Sequence, residues 1–273
     1  MDEYLTANRR LWNEWTPIHT ASAFYDVESF KTGGPRLRPY EIEEVGAVAG
    51  KDLLHLQCHF GLDTLSWARM GARVTGADFS SVAIERAQGL AAELSIPATF
   101  VCSELGALPQ SLAGDFDVVY TSFGVLGWLP DLARWAEVVA HFVRPGGIFY
   151  VTEIHPVAQV WDDQGVGPGE LRLRYRYWGR PEPLAEPVQG SYADPGAYVE
   201  EPVSYGWSHS LGEIVSAVAA TGLHIEFLHE FPFVAWPVPF LEQRDDRTWR
   251  LPAEQPGELP LFFSLRARKP GTA

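Results

Sequence analysis

The sequence predicts an α/β fold in which a mostly parallel β-sheet is covered by helices on both faces. Two observations carry this prediction. Between residues 50 and 154, short apolar runs alternate with segments of helical periodicity, which is typical of right-handed βαβ units. After a break at 155–207, one further helical pattern and two further apolar runs follow.

Each strand is predicted from a short apolar run with the length of a buried parallel strand. The first five runs lie at 53–57, 72–77, 98–102, 116–121 and 147–153. Two more strands are expected at 223–229 and in the segment LPLFFSLRARK.

Three helices are predicted from apolar stripes that begin at good capping residues. Ser80 and Asp131 can cap the helices that follow them, and the second of these ends near 144–146, where the sequence reads RPG. Ser210 and Glu213 have the spacing of a capping box at the start of a third helix.

The remaining segments predict how the chain is divided. Residues 1–45 precede the sheet, and we expect them to form an N-terminal lid with a helix at 3–15 and a loop across the site. Residues 46–154 form the predicted binding core, and 208–273 its C-terminal part. Residues 155–207 are rich in Pro, Gly, Tyr and Trp and lack helical periodicity, which indicates an inserted substrate lid of strands or loops.

Composition and charge narrow the class of partner. The net charge of −14 opposes binding to a polyanion, because phosphate contacts come from clustered Lys and Arg. The segment LRLRYRYWGR at 171–180 is a local exception. Its alternation predicts arginines on one face of a strand, either solvated or in contact with nucleic acid.

The sequence also carries predictions about location and metal content. The N-terminal segment has no apolar h-region, and no apolar run is long enough to span a bilayer. We therefore expect a cytoplasmic protein without membrane contact. The 2 cysteines, Cys58 and Cys102, give no paired metal-ligand spacing. The fourth strand ends in Thr121, Ser122 and Phe123, which supply no metal-binding carboxylate, and we expect no metal.

A crevice for a nucleoside is predicted where the strands end. The turn after the first strand reads LQCHFG and contains one glycine, Gly61. The second strand ends at Asp78, about 20 residues later, where nucleotide sites place the acidic residue that binds ribose hydroxyls. Glu104 follows the third strand. The carboxyl ends of parallel strands converge, so these groups are expected in one crevice.

With this turn and these acidic residues, the chain resembles the class I S-adenosylmethionine-dependent methyltransferases. The segment LHLQCHFG matches the spacing of the family's first motif, hydrophobic-D-hydrophobic-G-x-G-x-G. His55 stands at the acidic position, Gln57 and His59 at the first two glycines, and Gly61 at the third. The form LQCHFGLDTLSWA also resembles a subgroup of bacterial small-molecule methyltransferases.

The resemblance covers residues 50–154 and 208–268, and it implies a Rossmann-like, seven-stranded, mostly parallel sheet with helices on both faces. The N-terminal lid and an insertion after strand 5 would be added to this sheet. The implied cofactor is S-adenosyl-L-methionine, with S-adenosyl-L-homocysteine as product.

The resemblance also implies cofactor contacts. Asp78 would hold the ribose and Phe79 would flank the adenine. Glu104 would accept from the adenine amino group, and the Leu105 N–H would reach a ring nitrogen. Thr121 would contact the methionine end through its backbone. The remaining predicted cofactor contacts lie in the turn and the helix start: Gln57, Cys58, His59, Gly61 and Thr64.

The missing glycines are physically tolerable, because a sulfonium ligand has no pyrophosphate that needs close backbone approach. Its carboxylate needs N–H donors at a helix start, which residues 60–64 can supply, with the Thr64 hydroxyl in addition. The His59 side chain could also donate. Alternatively, Gln57 and His59 only satisfy local backbone groups.

Candidate acceptor-site residues follow the fourth and fifth strands. The fifth strand ends in VTEIHPV, which places Glu153 and His155 at the mouth of the crevice. His155 is the candidate general base, because its ordinary pKa lies near working pH; alternatively, His155-Pro156 only turns the chain. Among many aromatic residues, Trp128, Trp15 and Trp178 are the candidate acceptor contacts, with packing as the alternative.

These features predict methyl transfer to O, N or C of a small organic molecule by in-line displacement without a metal. The place after the fourth strand reads TSFG, where amino-directed nucleic-acid enzymes of this family carry N/D-P-P-Y/F. Two alternatives stay open at this point: a nucleic-acid methyltransferase, and a protein that binds S-adenosylmethionine or S-adenosylhomocysteine without catalysis. The oligomeric state is left open.

Overall fold

The computed structural model of the protein describes residues 3–255 and 257–271. Its seven-stranded sheet has the strands β1 (Asp52–Leu56), β2 (Arg73–Asp78), β3 (Ala98–Cys102), β4 (Phe116–Thr121), β5 (Val143–Ile154), β8 (His224–Phe231) and β11 (Phe262–Arg268). Two hairpins lie outside this sheet and are formed by β6 (Leu184–Pro187) with β7 (Val203–Gly206) and by β9 (Glu242–Gln243) with β10 (Trp249–Arg250).

The strand order of the main sheet is β3-β2-β1-β4-β5-β11-β8. The first five of these strands are parallel, and β11 runs antiparallel to both β5 and β8. The predicted Rossmann-like, mostly parallel sheet is confirmed. The order reverses between β1 and β4, which is where open parallel sheets form their ligand crevice.

The α-helices of the described residues are α1 (Glu3–Ala21), α2 (Val27–Lys31), α3 (Pro39–Val45), α4 (Leu62–Arg69), α5 (Ser81–Glu93), α6 (Leu108–Ser111), α7 (Leu132–Phe142) and α8 (Leu211–Ala220). The predicted caps are confirmed. Ser80 and Asp131 each accept a backbone N–H three residues further on, and Ser210 forms a capping box with Glu213. No helix in this part of the chain is both long and apolar enough to cross a membrane.

Helices cover both faces of the sheet, as predicted. On one face, α7 packs on β5, with the rings of Trp135 and Phe149 5.6 Å apart. On the other, α4 packs on β4 through Trp67 and Tyr120, 5.4 Å apart. All four aromatic side chains are buried. This close packing leaves the carboxyl ends of the strands as the place for a ligand.

The first helix is longer than the predicted 3–15, and α2 and α3 lie where a loop was expected. Helix α1 continues past Pro17, although proline costs about 3 kcal/mol inside a helix. Trp15 and His19 are buried on the helix face that covers the crevice. The burial of these rings offsets the cost of Pro17.

Helix α1 and the insertion form one layer, which we call the roof. The Trp15 indole donates to the Gly190 carbonyl at 2.9 Å. The Asn8 side chain donates to the Tyr205 carbonyl at 2.7 Å and accepts the Tyr205 N–H at 2.9 Å. These contacts join residues that lie more than 170 positions apart in the chain.

The prediction of a strand at 171–180 is wrong, since only an isolated bridge between Leu173 and Trp161 forms there. Arg172 and Arg174 both pair with the buried carboxylate of Asp162, at 2.6 and 3.0 Å. A buried charge needs such partners, and their pairing draws the segment away from a regular strand path.

Helix α3 is tied to the sheet by a buried carboxyl group. Glu41 accepts from the Tyr120 hydroxyl at 2.5 Å and from the Arg38 N–H at 2.9 Å. Burial, with a smaller contribution from Asp63, raises the pKa of Glu41 to about 7. The carboxyl group is therefore costly to ionise in the folded protein.

We expect Glu41→Gln to change the pH dependence of stability. The folded pKa of Glu41 lies above its ordinary value of 4.5, so the folded state binds the proton more tightly. Protonated Glu41 contributes about 3 kcal/mol to the free energy of unfolding below pH ~4.5, and this contribution is lost as the pH rises towards ~7. Glutamine lacks this dependence. Urea unfolding at pH 4.5, 6 and 8 should show that the free energy of unfolding of the variant rises relative to that of the wild type as the pH increases. A constant difference would contradict the assignment.

Candidate functional site

The turn between β1 and α4 has a left-handed backbone at the three glycine positions of the motif, although two of the three residues are not glycine. Gln57, His59 and Gly61 have φ angles of 56°, 51° and 84°. This left-handed region costs a non-glycine residue about 1 kcal/mol or more. The three positions are those of the three glycines in the family's motif, so the chain path is preserved and two side chains are added to it.

This strain gives a direct prediction. At positions 57 and 59, the glycine variant should be more stable than the alanine variant by about 1 kcal/mol, because only glycine adopts this φ without cost. Equilibrium unfolding of Gln57→Gly against Gln57→Ala, and of His59→Gly against His59→Ala, measures the difference. Equal stabilities within each pair would mean that the turn is not left-handed.

Gly61 has a second constraint besides its φ angle. A Cβ atom built on Gly61 would lie 2.9 Å from the Phe100 ring and 3.1 Å from the Ala87 Cβ. The turn therefore packs directly against β3 and α5.

Asp78 lies at the end of β2, beneath this turn, with 8% of the residue exposed. Its carboxylate accepts the His59 N–H at 2.8 Å and the Ser80 N–H at 2.9 Å, through different oxygens. Burial raises its pKa to about 6, against the lowering effect of these hydrogen bonds. Each oxygen keeps further acceptor capacity, which suits a pair of ribose hydroxyls.

The other predicted adenine contacts follow β2 and β3. Glu104 caps a 3₁₀ turn at 105–107, where its side chain accepts the Gly106 N–H at 2.8 Å. Phe79 and Leu105 are half-buried beside the strand ends. Their positions match a shared crevice, and their roles toward a cofactor stay predictions.

Two of the predicted contacts turn their side chains to the protein instead. Cys58 is buried, with its Sγ against Gly76. The Thr64 hydroxyl lies 2.8 Å from His55 Nδ1, and His55 Nε2 lies 3.2 Å from the Ser122 hydroxyl. Burial lowers the pKa of His55 to about 4, so a neutral imidazole joins β1, α4 and β4 where the family has an acidic residue.

Three buried polar side-chain atoms at the ends of β1 and β4 lack hydrogen-bond partners: Gln57 Oε1, His59 Nδ1 and Thr121 Oγ1. Buried polar atoms are normally paired. The methionine end of S-adenosylmethionine carries an ammonium group and a carboxylate, and its ribose carries hydroxyls. The residues present therefore fit this cofactor.

An aromatic cluster of Trp12, Trp15, His19, His59 and Trp128 covers the turn. The Trp12 ring lies 5.0 Å from the His59 ring and 5.3 Å from the Trp128 ring, in edge-to-face contacts. Trp15 lies 6.0 Å from Trp128. Sequence reasoning assigned no role to His19, although Trp12, Trp15 and His19 share one face of α1 at helical spacing.

Trp178 does not join this cluster. It is 72% exposed and its nearest ring is that of Tyr177, 5.4 Å away. Its predicted acceptor role has no support in its position.

Glu153 and His155 are held by protein groups. The Glu153 carboxylate accepts the N–H groups of Gly124, Val125 and Leu126 at 2.5, 2.9 and 3.0 Å, which shapes the loop after β4. His155 Nδ1 accepts the N–H of the second residue after it, and Nε2 lies 2.9 Å from a carboxylate oxygen on β8, that of Glu230. Neither side chain lines the cavity that lies next to the ends of β4 and β5. The base role of His155 stays a prediction.

This cavity of about 390 Å³ lies between the ends of β4 and β5, the insertion and residues 234–241. Trp128 lines it and also belongs to the aromatic cluster. The described lining residues include two carboxylates and no Lys, Arg or His. The tryptophans and carboxylates among them are Trp128, Trp161, Trp207, Trp236, Asp163 and Glu186.

Over residues 3–255 and 257–271, no group of three or more His, Cys, Asp or Glu is placed to hold a metal ion.

Comparison with known proteins gives a domain match over part of the chain and a fold. A family model described as a methyltransferase domain matches residues 53–147. A ubiquinone biosynthesis O-methyltransferase of Photorhabdus laumondii is 29% identical over 145 residues, which are 52% of this chain and 60% of that protein. The chain thus spans less than two thirds of this relative's length.

Solved structures share the fold at low identity. An S-adenosylmethionine-dependent methyltransferase from Mesorhizobium loti has a TM-score of 0.58 at 21% identity, covering 84% of this chain and 96% of its own. The glycopeptide N-methyltransferase MtfA, complexed with S-adenosyl-L-methionine, has a TM-score of 0.53 at 15% identity, covering 85% and 92%. Residues 53–147 thus match a methyltransferase domain, and the strand order with these likenesses shows that the chain has the fold of S-adenosylmethionine-dependent methyltransferases.

Proposed function

We propose that the chain transfers the methyl group of S-adenosylmethionine to a neutral or cationic small organic molecule. The observation that carries this proposal is the left-handed turn at 57–61, which brings the His59 N–H onto the Asp78 carboxylate. The family's backbone geometry is thus kept where two of its glycines are not. A turn that had lost its ligand would gain nothing by keeping two strained residues.

In this proposal the cofactor is held along the ends of β1 to β4. Asp78 accepts hydrogen bonds from the ribose hydroxyls, and Glu104 accepts from the adenine amino group. When bound, S-adenosylmethionine supplies an electrophilic methyl group on a sulfonium. The Gln57 and His59 side chains bind the polar methionine end, and the aromatic cluster excludes water from it.

The acceptor is proposed to occupy the 390 Å³ cavity, with Trp128 between it and the turn. Tryptophan faces bind apolar and cationic groups. Asp163 and Glu186 would repel an anion, which disfavours nucleic acid, and Arg172 and Arg174 are already paired with Asp162. The names of the relatives, a ubiquinone biosynthesis O-methyltransferase and a glycopeptide N-methyltransferase, support a small acceptor.

The experiment is a transfer assay with methyl-labelled S-adenosylmethionine and a panel of amines, phenols, carboxylic acids and RNA. We expect labelled product and S-adenosylhomocysteine with members of the first two classes. Transfer to RNA alone would contradict the proposal. Tight cofactor binding without transfer to any class would favour the non-catalytic alternative. A cytoplasmic location and the acceptor atom stay predictions.

A further inference from the structure

A hydrogen-bonded chain of three side chains runs from the insertion through α1 to the turn. Ser191 Oγ lies 2.7 Å from His19 Nε2, and His19 Nδ1 lies 2.8 Å from His59 Nε2. His19 is fully buried and Ser191 is 4% exposed. The far end of this chain is His59 Nδ1, which is buried and has no partner.

Both imidazoles are neutral. Burial lowers the pKa of His19 to about 3, and burial together with His19 lowers the pKa of His59 well below its ordinary value. Each ring therefore carries one proton, on one of its two nitrogens.

The Ser191 hydroxyl decides where these protons sit. Its oxygen accepts the Ala193 N–H at 3.1 Å, and among the described residues His19 Nε2 is the acceptor recorded within reach of its own hydrogen. His19 then carries its proton on Nδ1 and donates to His59 Nε2. Since His59 Nε2 is thereby an acceptor, the His59 proton must be on Nδ1. The opposite arrangement leaves the Ser191 hydrogen unpaired, which costs about 1–3 kcal/mol when buried.

We propose that Ser191 and His19 are positioning residues that fix the tautomer of His59, so that His59 presents an Nδ1–H donor to the carboxylate of the cofactor's methionine end. This inference rests on the proposed function. The inference also explains why a histidine stands at a glycine position of the motif, because its side chain supplies a hydrogen-bond donor that glycine lacks.

The binding test compares S-adenosylhomocysteine with 5′-methylthioadenosine, which lacks the amino-acid end. His59→Gly keeps the left-handed backbone and removes only the side chain, and methylthioadenosine is the matched control ligand, because it reports whether the rest of the site is intact. By calorimetry, His59→Gly should weaken S-adenosylhomocysteine binding about 10-fold or more, as for a hydrogen bond to a charged group. Methylthioadenosine binding should change less than about 2-fold on the same scale.

Ser191→Ala tests the relay without touching the turn. Without the Ser191 hydroxyl, the tautomer of His59 is no longer fixed. The affinity for S-adenosylhomocysteine should fall by about 3-fold or more, while the affinity for methylthioadenosine stays unchanged. In the free protein, ¹⁵N chemical shifts of labelled histidine should show His59 protonated on Nδ1 in the wild type and mixed in Ser191→Ala. Thermal unfolding checks that each variant is folded.

Two outcomes would overturn the relay: His59 protonated on Nε2 in the wild type, or equal effects of His59→Gly on both ligands. Either result would leave the proposed function standing if the wild type binds S-adenosylhomocysteine. Failure of the wild type to bind either ligand would instead sink the proposed function, together with the carboxylate contact.

Discussion

Asp78→Ala is expected to weaken the binding of S-adenosylhomocysteine by about 100-fold or more. Two ribose hydroxyls donating to a carboxylate are each worth about 1.5 kcal/mol or more, and 1.4 kcal/mol is a factor of ten in affinity. The variant also removes the acceptor of the His59 N–H. Calorimetric titration at pH 7.5 measures the loss.

The control for this prediction is Asp78→Asn, which keeps one oxygen acceptor and the shape of the side chain. Burial raises the pKa of Asp78 to about 6, so loss of the charge relieves a folding cost that partly offsets the lost hydrogen bonds. We expect the asparagine variant to fold well and to bind with intermediate affinity. If Asp78→Ala bound S-adenosylhomocysteine within twofold of the wild type, the ribose assignment would be wrong.

Gly61→Ala is expected to have the largest effect on stability, about 2–4 kcal/mol off the free energy of unfolding. One part, about 1 kcal/mol, is the left-handed φ of 84°. The other is the contact of the new Cβ, 2.9 Å from the Phe100 ring, since overpacking in a core costs about 1–3 kcal/mol. Urea unfolding followed by tryptophan fluorescence gives the total.

Gly50→Ala separates the two parts. Gly50 has a φ of 75°, and no heavy atom lies within 4 Å of the position that its Cβ would take. Its substitution therefore measures the backbone cost alone, about 1 kcal/mol. The difference between the two variants is the contact with Phe100. Equal losses at both positions would mean that the turn can move away from β3 at no cost.

Local signals predicted the sheet and its helices well. Ser80, Asp131 and Ser210 cap helices where the sequence placed them, because a cap depends on residues within one turn. The length of α1 was wrong, because the burial of Trp15 and His19 under the insertion is a long-range effect that local propensity does not contain. The strand at 171–180 was wrong for the same reason, since Asp162 redirects its arginines.

The sequence predicted that the turn and Asp78 lie together at the strand ends, and their contacts with a cofactor stay predictions. The family's spacing located Asp78 and the turn, but it could not say that Gln57 and His59 would keep a left-handed backbone. The side chains of Cys58 and Thr64 could not be oriented without the neighbours that receive them. The pairing of His19 with His59 joins two segments whose meeting depends on the whole roof.

The roof also fixes an order of events during synthesis. Helix α1 is made before its partners in the insertion, since Gly190 lies 175 residues after Trp15 and Tyr205 lies 197 residues after Asn8. At about 5–20 residues per second, these two partners in the insertion are added on the order of 10–40 s after α1. A nascent chain that stops at the end of β5 thus contains His59 and Trp128, the partners of Trp12, and lacks those that the insertion supplies, so the side of α1 that the insertion covers stays exposed in this interval.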